Sequence, residues 1–151
     1  GTDIGTYTEV YEIIAECVIN YGKGVMLVGW GNTAIAMGDD YYGFLTEIIP
    51  VIPGTGYLEG TSNALDYIDL DSPLTNGVSS FYTEYAEFPD GIKEGSVVHA
   101  TFSNGMAAVT SWEYGSGRIV HLGHIYMADI DSYTNDNLFE EESPIRLLTN
   151  P

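Results

Sequence analysis

Tyr21-Gly22-Lys23-Gly24-Val25-Met26-Leu27-Val28-Gly29 is the stretch on which the fold turns. Its centre, Val25 to Val28, is a short unbroken apolar run, the pattern of a central strand covered on both faces. Upstream, Val10, Ile13, Ile14, Cys17, Val18 and Tyr21 recur at helical spacing, with Glu9, Glu12 and Glu16 on the other side. Thr6 and Glu9 make a capping box, so a helix is expected over Thr6 to Tyr21, and Gly22 suits its C-terminal stop. Cys17 reads as a small buried hydrophobe on the apolar stripe. Helix, glycine turn and buried strand together are half of an α/β unit.

Downstream, Gly29-Trp30-Gly31-Asn32 predicts a tight loop and Asp40 to Ile49 a second helix that ends before Pro50. Residues 50–63 are rich in proline and glycine and predict an irregular loop. Ala64 to Leu70 reads as a strand, Asp71-Ser72-Pro73-Leu74 as a turn bent by Pro73, and Phe81 to Tyr85 as an edge strand. The C-terminal third is patterned most clearly. Val97 to Phe102, Ala107 to Tyr114 and Arg118 to Leu122 are strand-like, joined by Asn104-Gly105 and Gly115-Ser116-Gly117. Asn-Gly is a strong hairpin signal, so the three strands predict an antiparallel meander. A last helix is expected from Ser143, with Pro144 at its first position. The sequence stops soon after, at Pro151, which predicts one domain over residues 1–151 that is cut short at both ends.

Charge narrows the function classes. The 151 residues hold 22 acidic and 4 basic side chains, a formal charge of −18. Lys23, Lys93, Arg118 and Arg146 are scattered, so no basic patch forms and nucleic acid is excluded as a partner. No apolar run approaches the roughly 18 residues of a membrane span. A chain that is 44% hydrophobic is not an acidic disordered tail. Such acidity suits an extracellular or cell-surface protein in a cation-rich medium, or alternatively the cytoplasm of a halophile. The single cysteine makes no internal disulfide and leaves the redox compartment open. Twelve tyrosines, clustered at Tyr41-Tyr42 and in Phe81-Tyr82-Thr83-Glu84-Tyr85, suit contacts with carbohydrate or with protein subunits.

Four segments, in order, resemble the class I glutamine amidotransferase-like domains of flavodoxin-like fold. They are Tyr21 to Gly29, Asp71-Ser72-Pro73-Leu74-Thr75-Asn76-Gly77-Val78, Tyr114-Gly115-Ser116-Gly117-Arg118-Ile119-Val120-His121-Leu122-Gly123, and Leu147-Leu148-Thr149-Asn150. The resemblance spans about residues 7 to 150. It implies a three-layer α/β domain with a mixed sheet, here with an antiparallel meander near its C-terminus. In catalytic members a Cys nucleophile sits on a sharp turn directly after a buried strand, activated by a His. The equivalent turn here, Gly29-Trp30-Gly31-Asn32-Thr33, has no Cys. The resemblance therefore implies the fold and argues against the amidotransferase reaction. His124 stands roughly where the family's His would.

The residues leave several readings open. Trp30, Asn32, Thr33, Tyr41 and Tyr42 are the candidate ligand-binding residues around the turn. Asp69 and Asp71 put two carboxylates on one face of an extended segment. Asp129, Asp131 and Asp136 lie in a loop rich in oxygen ligands, and calcium is the cation such loops would suit. His121 and His124 near Asp129 and Asp131 are alternative metal ligands. His99 is assigned no role. The favoured reading is a non-catalytic binding, structural or assembly module that associates with itself or with other subunits and needs no cofactor, calcium being the one cation under consideration. The alternative is a hydrolase of a sugar or amide that uses His124 with Asp129 or Asp71.

Overall fold

The computed structural model describes residues 4–28, 31–37, 43–59, 64–83 and 85–125, together with Glu142 and Arg146. A helix α1 (Ile4–Tyr21) leads into strand β1 (Gly24–Leu27), then short helices α2 (Gly31–Ala36) and α3 (Gly43–Ile48). After α3 come β2 (Val51–Ile52), β3 (Gly56–Glu59), β4 (Leu65–Ile68), β5 (Tyr85–Phe88), β6 (Gly91–Ile92) and β7 (Val97–Phe102), the first strand of the meander. The meander closes with β8 (Ala107–Tyr114) and β9 (Gly117–Leu122).

The main sheet has the order β1-β9-β8-β7-β4. β1 runs parallel to β9, Val25 opposite Ile119 and Leu27 opposite His121, and the remaining pairs are antiparallel. The fold is thus α/β with a mixed sheet and the expected meander. Gly105 and Gly115 take left-handed backbone in the two hairpin turns. Gly115 also needs its missing side chain, because a Cβ there would come within 2.6 Å of the Ile19 Cα. That close approach, with the Ser116 N–H donating to the Ile19 carbonyl at 3.0 Å, fastens α1 to the meander.

Two apolar clusters make three layers. On one face Ala15, Val18, Ile35, Leu45, Ile48 and Ile119 join the helices to the sheet. On the other, Leu74, Val78, Phe81, Ala86, Phe102 and Leu122 join the sheet to the 69–83 segment and the β3–β5 pair.

Several local expectations are corrected. The helix starts at Ile4, so Thr6 lies inside it and is not its cap. Its stripe is rotated: Ala15 and Val18 are buried and Tyr11 and Ile14 pack beside them, while Val10, Ile13 and Tyr21 are exposed. Helical spacing marks an apolar arc wider than the strip that the sheet covers. Cys17 is half-buried. Gly22 ends the helix as expected, with φ 64° and the Lys23 N–H reaching back to the Cys17 carbonyl. β1 is not central. It is the outer strand of the described sheet, with Val25, Met26 and Leu27 only half-buried. The expected loop at 50–63 contains β2 and β3, and the edge strand expected over Phe81 to Tyr85 is displaced to Tyr85–Phe88. Arg146, within the last expected helix, and Glu142, just before its expected start, are helical and form an ion pair at 2.6 Å; the rest of that helix lies outside the described residues.

Candidate functional site

The turn after β1 holds Asn32 and Thr33, two of the candidate ligand-binding residues. Gly31 opens α2 there because a Cβ would lie 2.8 Å from Leu27 Cδ1. Asn32 follows, completely buried. Its Nδ2 donates to the carbonyls of Gly54 at 3.0 Å and Phe88 at 3.1 Å, and its Oδ1 accepts the Gly54 N–H at 3.1 Å. The carboxamide is therefore used on both sides as a tie between α2 and the chain around β2, β3 and β5. The backbone N–H groups of Asn32 and Thr33, free because they begin a helix, donate to Glu87 Oε1 at 3.2 Å and Oε2 at 3.0 Å. Glu87 comes from β5 and is also completely buried. An internal carboxylate thus fills the place an external anion would take. Ligand binding was expected at Asn32 and Thr33; the structure corrects this for Asn32, whose side chain is enclosed and fully hydrogen-bonded. Thr33 is part-buried, and its Oγ1 has no hydrogen-bond partner among the described residues. Trp30, Tyr41 and Tyr42 lie outside the described residues.

Two histidines complete this cluster. His121 on β9 is fully buried, with Nε2 3.4 Å from Glu87 Oε1. His124 is fully buried between the rings of Phe81, at 4.7 Å, and Phe102, at 4.9 Å. Burial first, and the neighbouring His121 second, push the His124 imidazole down to about 3, so it is neutral at ordinary pH. This corrects the reading of His124 as a hydrolytic group: it meets no solvent. Its alternative partner Asp71 is exposed in the 69–75 turn, and Asp129 lies outside the described residues.

The acidic positions divide in the same way. The Asp69 carboxylate accepts the Asp71 N–H at 3.1 Å, and its carbonyl accepts the Ser72 N–H at 3.3 Å and the Thr75 hydroxyl. These two aspartates shape a turn. No group of three or more His, Cys, Asp or Glu suited to a metal occurs among the described residues. Asp129, Asp131 and Asp136 lie outside them. Of the Phe81 cluster, Phe81 is core, Tyr82 is exposed and Tyr85 is half-buried.

An open concavity lies elsewhere. A recess of about 420 Å³ lies on the sheet face opposite the helices, among Ser72, Pro73, Leu74, His99, Ser111 and Arg118. That size falls within the roughly 300–1,000 Å³ of ordinary small-molecule sites. The turn before Leu74 is tied to the sheet by the Asp69 N–H, which donates to the His99 carbonyl at 2.8 Å. On the floor, His99 Nε2 and Ser111 Oγ are 2.7 Å apart. At the rim, Arg118 pairs with Glu113 at 3.3 Å, with both side chains more than half exposed, so the pair contributes little to stability. Burial holds His99 below the usual histidine range; Asp69 pulls it up and Arg118 pushes it down by smaller amounts. Sequence reasoning missed Glu87, Ser111 and the part played by His99. A lone Glu, Ser or His in a strand carries no signal of a partner far away in the chain.

No family model and no curated protein matches the chain. Solved structures do. It is similar to the cytoplasmic protein STM3548 from Salmonella typhimurium, with TM-score 0.72 and 19% identity over 91% of this chain and 56% of that one. It is similar also to the cytoplasmic protein STM1381 from Salmonella typhimurium LT2, with TM-score 0.71 and 18% identity over 93% of this chain and 58% of that one. The chain thus spans little more than half the length of either. Both likenesses show the α/β fold. Both neighbours are described as cytoplasmic, and this overturns the expectation of an extracellular or cell-surface protein.

Proposed function

We propose that the chain is a small-molecule-binding module that performs no chemistry at the turn after β1. The observation that carries this reading is Asn32. The residue at the nucleophile's place is completely buried, with three hydrogen bonds on its carboxamide, and the amides beside it are occupied by Glu87. A turn closed in this way offers neither a nucleophile nor free donors for an oxyanion. The recess above His99 and Ser111 has the opposite character. It is open and mixed in polarity, with Ser72, His99, Ser111 and Arg118 among its lining.

The test is a small-molecule screen read by backbone amide NMR, with the Val97→Trp variant beside the native chain. Val97 is exposed and lines the recess, so the indole fills it without entering the core. Binders are expected to shift the amides of Val97, His99, Ser111 and Arg118 and to be lost in Val97→Trp. Binders that shift Asn32 and Thr33 instead, and are indifferent to Val97→Trp, would overturn the reading.

A further inference from the structure

Folding alone does not explain the floor of the recess. On the same sheet face Ala100, Val109, Val120 and Leu122 are apolar and pack into one cluster. In their midst His99 and Ser111 are 8% and 7% exposed. His99 Nδ1 has no hydrogen-bond partner among the described residues. Two valines would fill this place without desolvating a hydroxyl and an imidazole. The backbone is also bent to make the pair. β7 and β8 match Val97 with Ser111 and Val98 with Thr110, then slip, so that Ala100 faces Val109. His99 is the extra residue of that bulge, which turns its ring onto the Ser111 face beside Ala100.

We propose that Ser111 and His99 are a nucleophile and its general base, and that the recess takes a small carboxylic ester. The inference rests on the reading of the recess as a ligand site and adds a reaction to it. The 2.7 Å contact is the distance that proton transfer between such groups requires. The Ser111 proton passes to His99 Nε2 while an Oγ–carbon bond forms at the ester carbonyl. The carbon–oxygen bond to the alcohol then breaks, and the leaving oxygen takes the proton from His99. Water attacks the acyl-serine, gives its proton to His99, and His99 returns it to Ser111 Oγ as the acid leaves. Ester and water become alcohol and carboxylic acid. Arg118 lines the same recess and is the cation available to the carbonyl oxygen as charge develops there.

The groups that face His99 suit a base. Its own burial keeps the ring neutral, Asp69 from the turn after β4 opposes that shift, and Arg118 from β9 reinforces it. Glu113 from β8, exposed at the rim, balances Arg118. His99 is therefore ready to accept a proton at neutral pH and remains so below the ordinary histidine range.

The experiment uses p-nitrophenyl acetate as probe, with nitrophenolate release followed by absorbance and the adduct located by peptide mass mapping. The expected result is a burst of about one acetyl group per chain, carried on Ser111. His99→Gln keeps a hydrogen-bonding side chain but no base, and slows the burst by about 100-fold. Val97→Trp slows it by occupying the recess. In Ser111→Ala the adduct disappears; should that variant fail to fold, the other two carry the test. The pH–rate profile falls off at a lower pH than an ordinary histidine would give. Acetylation of a lysine, tyrosine or terminal amine in place of Ser111 would overturn the proposal, as would a Ser111 burst that His99→Gln leaves unchanged. No acetylation at all, with screened binders still lost in Val97→Trp, would overturn the reaction and leave the binding site standing.

Discussion

Two polar clusters of this chain are both built around histidine, and they differ in what lies beside them. The cluster of Asn32, Glu87, His121 and His124 joins α2, β5 and β9 and is closed on every side. The pair of His99 and Ser111 joins β7 and β8 and has an open recess above it. In the closed cluster each Glu87 oxygen and each polar atom of the Asn32 carboxamide is matched to a backbone group. Such matching is what a buried polar group needs if it is not to destabilise the fold. In the open pair one polar contact is made, between His99 Nε2 and Ser111 Oγ, and the two residues line the recess. Position relative to a family's catalytic turn would have selected the first cluster. Accessibility selects the second.

The comparison breaks first at acid pH. His124 carries a pKa of about 3 in the folded chain against 6.5 when unfolded. Between those values the unfolded chain binds the additional proton, so stability is fully present above pH 6.5 and is lost as pH falls toward 3. The full effect is of the order of 5 kcal/mol. Urea unfolding at intervals from pH 7 to pH 4 should show it, and His124→Phe, which removes the titrating ring between two phenylalanines, should flatten the slope. The lowered His99 adds a smaller slope of the same sign. A native chain whose stability is level across this range would mean that His124 reaches solvent, and the cluster would not be closed.

Next in size is Glu87→Gln. One of the two N–H donors of α2 loses its acceptor, and an amide donor is placed against backbone N–H groups in a completely buried site. The expected loss is about 3 kcal/mol in urea unfolding. A loss under about 0.5 kcal/mol, as at an ordinary surface position, would show that the carboxylate does not hold the turn.

Glu87 also shows where the sequence stops being legible. Its partners Asn32 and Thr33 lie 55 and 54 residues upstream. Nothing in Tyr85-Ala86-Glu87-Phe88 separates it from a solvated strand residue. The meander was readable because its signals are local: short strand-like runs, and Asn104-Gly105 and Gly115 where the chain must turn. The rotation of α1 was not, since Val10 and Ile13 are as apolar as Ile14 and Val18, and only contact with β9 and α3 decides which are covered. The same holds for β1. An apolar run marks a strand, but the number of neighbours it pairs with is set by the rest of the fold. α2, at six residues, is too short for any periodicity to show. Of the two clusters, the turn after β1 and His124 are singled out only through the resemblance. The His99–Ser111 pair was invisible because it depends on a bulge, which leaves no mark in the pattern of residues.

Asn32→Ala is expected to be milder than Glu87→Gln. It deletes three hydrogen bonds but also removes the side chain's own polar atoms, leaving the Gly54 N–H and carbonyl and the Phe88 carbonyl to be satisfied. About 2 kcal/mol should be lost. A variant as stable as the native chain would mean that water enters the vacated space, contrary to a sealed turn.

Ser111→Ala should cost least and sharpens the contrast most. Both Asn32→Ala and Ser111→Ala cut a buried polar side chain back to Cβ, and both leave a partner behind. At Asn32 the partners are backbone groups shut away from solvent, whereas at Ser111 the partner is His99 Nε2 on the floor of a recess. Water can enter the recess and take the place of the hydroxyl, and a water-mediated contact is nearly as favourable as the direct one. The loss in urea unfolding should therefore stay below about 1 kcal/mol. If the two alanine variants lose the same stability, the recess is closed in solution and the distinction between the clusters fails. If Ser111→Ala is nearly neutral while binding at the recess is abolished, the serine is there for a ligand and not for the fold.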